Sequence, residues 1–174
     1  GVVASNLRTG ADLLSCEQLI SNSGIAFTGM YPLGQGFVIE EEDIVNLGLS
    51  LDSLPDIVKP FVIARDLAQK TRNEYIIDFF PLSKKIAEEM FPDLFQHVLV
   101  NVKPERDQNK VEERRRNWWL FTRPIPDLRE AISSLEQFIV VPRTAKYFTF
   151  QFRSSNTIPD TSVVAIATDD RVVL

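Results

Sequence analysis

The chain has 174 residues, of which 44% are hydrophobic and 25% are charged, and its net charge is -5. This composition is that of one globular domain and excludes a disordered chain, and no apolar run approaches the about 20 residues that a membrane span needs. The single cysteine, Cys16, excludes an internal disulfide and, with no recognisable signal peptide, predicts a cytoplasmic protein.

The first part of the chain predicts a linker followed by a β-hairpin. Residues 1–12 are polar without a clear period, which predicts a linker, and residues 11–22 could form a short helix. The missing initiator methionine suggests a fragment of a longer protein, so we interpret residues 1–24 as a linker and a short helix from a preceding domain. Over residues 25–39, glycines and a proline separate apolar clusters, which is typical of strand–turn–strand. Gly34 and Gly36 are expected to turn this hairpin, and residues 41–47 predict a short helix.

The next part predicts short strands and helices in alternation. Residues 56–66 are β-rich around Pro60, which predicts an edge or a bend. Residues 75–80 predict a second buried strand, and Ser83 can cap a helix after it. The apolar residues expected to share one face of that helix are Leu82, Ile86 and Met90. Residues 91–97 predict another short helical piece.

Two further helices are predicted before the last strands. Residues 104–116 predict a charged helix that must be largely exposed, because Val111 is its only apolar residue. Residues 127–136 carry the clearest helical signal, in which Asp127 and Glu130 have the spacing of a capping box. The apolar residues of this helix at positions i, i+3, i+4 and i+7 are Leu128, Ala131, Ile132 and Leu135.

The C-terminal part predicts strands at residues 138–141, 147–153 and 163–168, with a further strand starting at residue 171. Residues 147–153 alternate strictly between apolar and polar side chains. The predicted core face consists of Phe148, Phe150 and Phe152. The predicted polar face consists of Tyr147, Thr149, Gln151 and Arg153. The sum is an α+β domain with a mixed or antiparallel sheet and helices packed on one side.

Residues 102–129 concentrate eight basic residues, both tryptophans and three prolines in 28 positions. Residues 1–102 carry 7 Lys and Arg against 14 Asp and Glu, whereas residues 103–174 carry 12 against 10. Such a distribution allows either a positive surface for a polyanion or an ion-pair lattice at helical spacing, with the tryptophans in the core. The ion pairs would join Arg106, Arg114, Arg115 and Arg116 to Glu105, Asp107, Glu112 and Glu113.

The sequence predicts no catalytic or metal site. His97 is the only histidine and is flanked by apolar residues, which favours a structural role, and one Cys with one His cannot form a zinc site. Neither a glycine-rich phosphate loop nor a nucleophile elbow occurs.

Three acidic residues raise the alternative of a metal-dependent nuclease. Asp66, Glu74 and Asp78 could converge on a divalent ion, but no Glu-x-Lys follows them. We expect instead that Asp66 and Asp78 form ion pairs. Their candidate partners are Arg65, Arg72 and the arginines of residues 102–129.

Short blocks of sequence occur in a specific order along residues 25–174. They are IAFTG (25–29) with Gly36 and Phe37, VKPF (58–61), ARDL (64–67), Arg72 with IIDF (76–79), VKPERD (102–107), NK (109–110), Arg115, WW (118–119), RP (123–124), LR (128–129), VPR (141–143), Lys146, Phe148 and Phe150. In this order they resemble the region that follows the catalytic domain in bacterial adenine-N6 DNA methyltransferases. The resemblance is greatest to the large single-chain restriction–modification enzymes of the MmeI-like type IIG/IIL group.

The resemblance implies that residues 25–174 are a DNA target recognition domain, a fragment of a larger protein. In that family a separate Rossmann-like domain binds S-adenosylmethionine and carries an Asn-Pro-Pro-Tyr-type catalytic motif, and neither feature occurs in this chain. It therefore implies no cofactor in this chain and S-adenosylmethionine in the parent enzyme. The implied partners are double-stranded DNA and the catalytic domain of the same polypeptide. Glu74 and Tyr147 depart from the family pattern.

Lys and Arg side chains that neutralise phosphates supply affinity for DNA, and side chains that reach base edges supply specificity. The phosphate-binding candidates are Arg114, Arg115, Arg116 and Arg123. The resemblance and the residue types both indicate residues 142–153 as the specificity-bearing segment. The base-reading candidates are Arg143, Thr144, Lys146, Tyr147, Thr149, Gln151 and Arg153.

Two alternatives remain open at this point. The polar face of residues 147–153 could cover a helix or another domain of the parent enzyme. The whole chain could also be a protein-interaction or scaffold module whose residues 102–129 dock an acidic partner domain. The second alternative predicts no salt-dependent binding to DNA.

Overall fold

The computed structural model describes residues 23–69 and 71–171 and confirms the α+β class. The strands are β1 (Ala26–Thr28), β2 (Val38–Ile39), β3 (Val58–Val62), β4 (Tyr75–Ile77), β5 (Gln137–Pro142), β6 (Gln151–Ser154), β7 (Ile158–Pro159) and β8 (Val163–Ile166). The helices are α1 (Glu41–Asn46), α2 (Ala64–Ala68), α3 (Lys84–Met90), α4 (Pro92–Asn101), α5 (Lys103–Asp107), α6 (Glu112–Arg116) and α7 (Pro126–Ile132), with a 3-10 turn at Gln35–Phe37. The helix predicted within residues 11–22 and the strand predicted beyond residue 171 lie outside the described residues.

The strands form two four-stranded sheets. The first has the order β1-β8-β5-β6 and is antiparallel throughout. Its centre is β5, which is buried along nearly its whole length, as its apolar sequence predicts. Within β5, Ile139 lies opposite Phe152 on one side and Ile166 on the other.

The second sheet has the order β2-β4-β3-β7 and is mixed, because β3 runs parallel to β7 and antiparallel to β4. The pairing with β7 covers only Phe61 and Val62. Pro60, which has no N–H to donate, therefore lies where that side of β3 is unpaired, although β3 itself is an inner strand and not the predicted edge.

The two sheets meet where β7 leads into β8. Here the Met30 N–H donates to the Pro159 carbonyl at 2.7 Å, and the Gly29 N–H donates to the Val163 carbonyl at 3.1 Å. A side chain at Gly29 would place its Cβ 2.0 Å from the Asp160 carbonyl oxygen. Only glycine allows the backbones to approach this closely.

An aromatic cluster joins the helices to the second sheet. The ring centroid of Phe95 on α4 lies 5.8 Å from Phe79 and 5.2 Å from Trp118. Trp118 is buried, and the half-buried Trp119 donates its indole N–H to the Leu82 carbonyl at 3.2 Å. Both tryptophans therefore belong to the core and its margin, as the ion-pair alternative assumed.

The hairpin predicted over residues 25–39 is wrong. β1 pairs with β8 and β2 pairs with β4, so the two strands belong to different sheets. Gly36 instead lets the 3-10 turn approach α4, because a Cβ there would lie 2.5 Å from the Asn101 Cβ. The helix after it is confirmed as α1.

The single helix predicted over residues 104–116 is also wrong, because it is interrupted between α5 and α6. The Asn109 side chain accepts a hydrogen bond from the Val111 N–H at 3.0 Å, which favours a turn over a continuing helix. Its predicted exposure fails at Arg106, which is 1% exposed.

The last predicted helix and the Ser83 cap are largely confirmed. The Ser83 hydroxyl accepts from the Ile86 N–H at 3.4 Å, although Ile86 and Met90 face solvent and Ala87 supplies the buried contact of α3. α7 begins at Pro126, with Ile125 rather than Asp127 as its N-cap, so the predicted capping box does not form.

The strand predicted over residues 147–153 begins only at Gln151. Phe148 is 62% exposed and Phe150 is 48% exposed, so neither belongs to the core that the alternation predicted. β6 is the edge strand of its sheet, and its pairing with β5 ends at Gln151 opposite Val140. Among the described residues, those of 143–150 therefore have no partner strand to hold them extended.

Candidate nucleic-acid interface

Residues 143–150 form the connection between β5 and β6, which we call the β5–β6 loop. Seven of its eight residues are exposed, and Tyr147 is 76% exposed. The Lys146 Nζ lies 5.2 Å from the centroid of the Tyr147 ring, a cation–π distance. The loop thus presents basic, hydroxyl and aromatic side chains together to solvent.

Five base-reading candidates share this exposed loop. They are Arg143, Thr144, Lys146, Tyr147 and Thr149. Both ends of the loop are held by the sheet, because the Arg143 N–H donates to the Ser162 carbonyl at 2.8 Å and Gln151 begins β6. A loop held in this way can position side chains for recognition.

The other two base-reading candidates, Gln151 and Arg153, are half-buried and already hydrogen-bonded. The Gln151 amide donates to the Leu67 carbonyl at 2.9 Å and accepts from Arg153 Nη2 at 2.7 Å. Arg153 also donates to the Phe152 carbonyl at 3.0 Å. To reach a base, each side chain would first have to exchange these bonds.

The phosphate-binding candidates of α6 differ in their surroundings. Arg115 is half-buried and donates to the Asn109 carbonyl at 2.5 Å, whereas Arg116 is exposed and Arg114 is half-buried. Within the described residues, none of the three forms an ion pair with Glu105, Asp107, Glu112 or Glu113. The ion-pair lattice predicted as an alternative is therefore wrong for these arginines.

Arg123 is exposed, but its backbone is fixed. Its N–H donates to the Tyr31 carbonyl at 3.1 Å, and its carbonyl accepts from the Tyr31 N–H at 3.0 Å. Together with Arg114 it lines a pocket of about 320 Å³ between α6 and the segment that follows Trp119. The same pocket includes Arg106, which the sequence placed only in the ion-pair alternative.

The two acidic residues proposed to form ion pairs do so. Arg72 contacts Asp66 through Nε at 2.9 Å and Nη2 at 3.2 Å, and Glu74 through Nη1 at 2.6 Å. Asp78, which is 1% exposed, accepts from Arg129 Nη1 at 2.6 Å. Arg129 also lies 4.8 Å from the centroid of the Phe80 ring.

These contacts change the ionisation of the cluster around Arg72. Burial opposes ionisation of Asp66, but hydrogen bonds from Arg72 and the Ile63 N–H outweigh it and lower the pKa of this carboxyl. Burial raises the pKa of Glu74, which Arg72 offsets only in part. The hydrogen bond to Asp66 is the main reason that the pKa of Arg72 is raised. The acidic side chains therefore act in ion pairs.

Within residues 23–69 and 71–171, no group of three or more His, Cys, Asp or Glu side chains could hold a metal ion. None of the helices in this part of the chain has the length and apolar character needed to cross a membrane. His97 is half-buried on α4, where its carbonyl accepts from the Asn101 amide at 2.8 Å. A structural role for its imidazole remains a prediction.

Sequence reasoning missed two groups of side chains in these surfaces. Phe148 and Phe150 were assigned to the core, and their flanking basic residues were the only signal that they belong to an exposed loop. The pocket residues Asn117 and Thr122 carried no signal, because only the tertiary fold brings them beside Arg106.

No family model matches the chain, and no curated protein matches it. Among solved structures, the chain is similar to the type IIL restriction–modification enzyme MmeI in complex with DNA, with a TM-score of 0.71 and 15% sequence identity. The similarity covers 98% of this chain and 23% of that chain, so this chain spans about a quarter of the length of the structure it matches. At this identity, the similarity shows a shared fold.

Proposed function

We propose that this chain is the sequence-specific DNA recognition domain of an S-adenosylmethionine-dependent adenine-N6 DNA methyltransferase, either alone or fused to a restriction activity. The observation that carries the proposal is the β5–β6 loop, which exposes five base-reading candidates, one of them Tyr147, together with the rings of Phe148 and Phe150. The fold shared with part of an enzyme solved with DNA supports it. Residues 25–174 would be the recognition domain, and the catalytic domain of the same polypeptide would be its partner.

Recognition of double-stranded DNA would divide between two surfaces. Arg114, Arg115, Arg116 and Arg123 would neutralise phosphates and supply salt-dependent affinity. The β5–β6 loop would enter the major groove, where arginine pairs with guanine O6 and N7 and hydroxyl groups accept or donate as the base requires. The target adenine would then be flipped into the catalytic domain, where S-adenosylmethionine supplies the methyl group.

Gln151 and Arg153 have a different place in this proposal. Because they hydrogen-bond each other and the Leu67 carbonyl, they support the base of the loop in the free chain. They remain base-reading candidates, and contact with DNA would have to replace these bonds. Gln151 would suit adenine N6 and N7 if its amide were released.

The proposal is tested by selecting random DNA duplexes with the 174-residue chain at low salt and sequencing the bound fraction. Enrichment of a fixed motif is the expected result. Arg143→Gln should relax selection at one position of that motif and cost about 1–3 kcal/mol of discrimination. Arg116→Gln should weaken binding to all sequences equally. It should also reduce the slope of log K against log salt by about 0.9, the value for one phosphate contact.

Two outcomes would count against the proposal. Binding without any enriched motif would reduce the chain to a nonspecific DNA-binding domain. No salt-dependent binding to any duplex would favour the interaction module, in which the same arginines dock an acidic partner domain.

A further inference from the structure

Arg106 is a fully buried cation that pairs with no carboxylate in the part of the chain that the structure describes. Its side chain is 1% exposed, and it donates to neutral oxygens alone: Nη2 to the Pro32 carbonyl at 2.6 Å and the Leu120 carbonyl at 3.1 Å, and Nη1 to the Thr122 hydroxyl at 3.0 Å. Its Nε has no hydrogen-bond partner. A buried charge of this kind is costly unless it is paired.

Two other arginines, Arg72 and Arg129, show what Arg106 lacks. Arg72 is paired with Asp66, and Arg129 with Asp78, and both of these carboxylates are buried. No carboxylate within the described residues lies within ion-pair distance of Arg106. The fold therefore supplies a counter-ion at two positions and leaves the third cation without one.

The neighbourhood of Arg106 adds positive charge instead of cancelling it. Arg106, Arg114 and Arg123 line one pocket of about 320 Å³, where Glu113 is the only acidic side chain. Burial is the main reason that the pKa of Arg106 is lowered, and the charge of Arg114 lowers it further, against an opposing effect of Glu105. An anion between these arginines would remove that repulsion.

Neutral donors complete the pocket. Asn117 and Thr122 also line it. The Thr122 hydroxyl oxygen accepts from Arg106, so its own proton remains available for a further hydrogen bond. Guanidinium, amide and hydroxyl donors converging on one pocket match the oxygens of a phosphate group.

We propose that the pocket lined by Arg106, Arg114 and Arg123 binds a single phosphate group, with the DNA backbone as its source. This inference rests on the proposed function for the source of the phosphate, but the pocket itself does not. In this proposal, Arg114 and Arg123 contact the same phosphate group. The proposal also adds Asn117 and Thr122 to the DNA-binding residues, with the buried Arg106 holding the Thr122 hydroxyl in place.

The first arm of the test measures how the observed binding constant of the chain for duplex DNA varies with salt concentration. The variants are Arg114→Gln, Arg123→Gln and the double variant, with Lys85→Gln, an exposed lysine on α3, as the control for loss of one positive charge. The slope of log K against log salt changes by about 0.9 for each phosphate neutralised. The double variant should lose about 0.9, and the double Arg→Lys variant should keep the slope.

A loss of about 1.8 in the double variant would assign the two arginines to separate phosphates and overturn the proposal. An unchanged slope would overturn it as well. Neither result would contradict the proposed function, because that function depends on salt-dependent, motif-selective binding by the unaltered chain.

The second arm uses no DNA and keeps the pocket testable if the proposed function fails. The thermal unfolding midpoint is measured in inorganic phosphate and in chloride at equal ionic strength. Phosphate should raise the midpoint of the unaltered chain and of Lys85→Gln, but not of the Arg114→Gln, Arg123→Gln double variant. Phosphate stabilisation without DNA binding would assign the pocket to free phosphate and overturn the DNA source, whereas no stabilisation and no DNA binding would overturn the pocket.

Discussion

At the scale of single residues, arginines determine both the stability of the chain and its proposed contacts. Arg72 and Arg129 are committed to buried carboxylates, whereas Arg114, Arg116 and Arg123 lack an acidic partner within the described residues. Residue type alone could not separate the two groups, because each lies among acidic neighbours in the sequence. That Asp66 and Asp78 each form an ion pair with an arginine could be predicted, since buried carboxylates need partners.

The buried ion pair between Arg129 and Asp78 should cost more stability to break than an exposed ion pair. Asp78→Asn leaves the Arg129 guanidinium 83% buried without its counter-ion, given a side-chain exposure of 17%, and we expect a loss of about 3–5 kcal/mol in the free energy of unfolding. Urea unfolding measures it. Glu89→Gln, which breaks the exposed pair with Lys85 at 3.8 Å, should change stability by at most about 1 kcal/mol. Equal effects of the two substitutions would contradict this assignment.

Asp66 should make stability depend on pH. Its pKa is lowered in the folded chain, so its contribution is fully present above its ordinary value of 3.8 and is lost as the pH falls through the lower folded value. Unfolding free energies of the unaltered chain and of Asp66→Asn, measured between about pH 6 and pH 2, should converge at the acidic end. A difference that stays constant over this range would show that the carboxylate does not contribute through its charge.

At the scale of elements, short-range pattern predicted most strands and helices but not their partners. The buried runs of β5 and β8 and the cap of α3 followed from the sequence. The proposed hairpin between β1 and β2 did not form, because strand pairing across more than 100 residues decided it: Ala26 pairs with Ile166. The single helix predicted over residues 104–116 failed because the Asn109 side chain accepts from the Val111 N–H and favours a turn. Its predicted exposure failed because Arg106 turns inward to neutral oxygens.

In the β5–β6 loop, the alternation of apolar and polar residues predicted a strand with a buried face, and that prediction is wrong. Phe148 and Phe150 alternate with polar residues as a strand would, yet they lie beyond the last pair of β6, where no neighbouring strand covers them. An alternating pattern states that two faces differ, and it does not state that either face is buried. The base-reading candidates could therefore be chosen by residue type, while their presentation on a loop could not.

Exposure of these two rings gives a prediction for stability. Phe148→Ser and Phe150→Ser should each change the free energy of unfolding by less than about 0.5 kcal/mol, whereas Phe138→Ala within the buried β5 should cost about 3–5 kcal/mol. Chemical denaturation compares the three. A loss of several kcal/mol at Phe148 would place the loop in the core and remove it as a recognition surface.

At the scale of the whole molecule, two sheets joined at β7 and β8 hold the β5–β6 loop at one sheet edge and the arginine-lined pocket beside α6. The α+β class could be predicted from the order of the elements, but the division into two sheets could not, because it depends on the close approach of Gly29 to Asp160. The ordered sequence blocks indicated a family, and the fold is shared with part of an enzyme of that class. Neither specifies the DNA sequence that is read.

The central claim, the proposal that residues 142–153 read DNA sequence, is tested most directly on the proposed parent enzyme. Host DNA would be sequenced at single-molecule resolution, with and without the gene, for N6-methyladenine in a fixed motif. Exchanging residues 142–153 for those of a relative with another motif should change the methylated motif while methylation continues. Methylation of the same motif after the exchange would contradict the account, and would place recognition elsewhere in the protein.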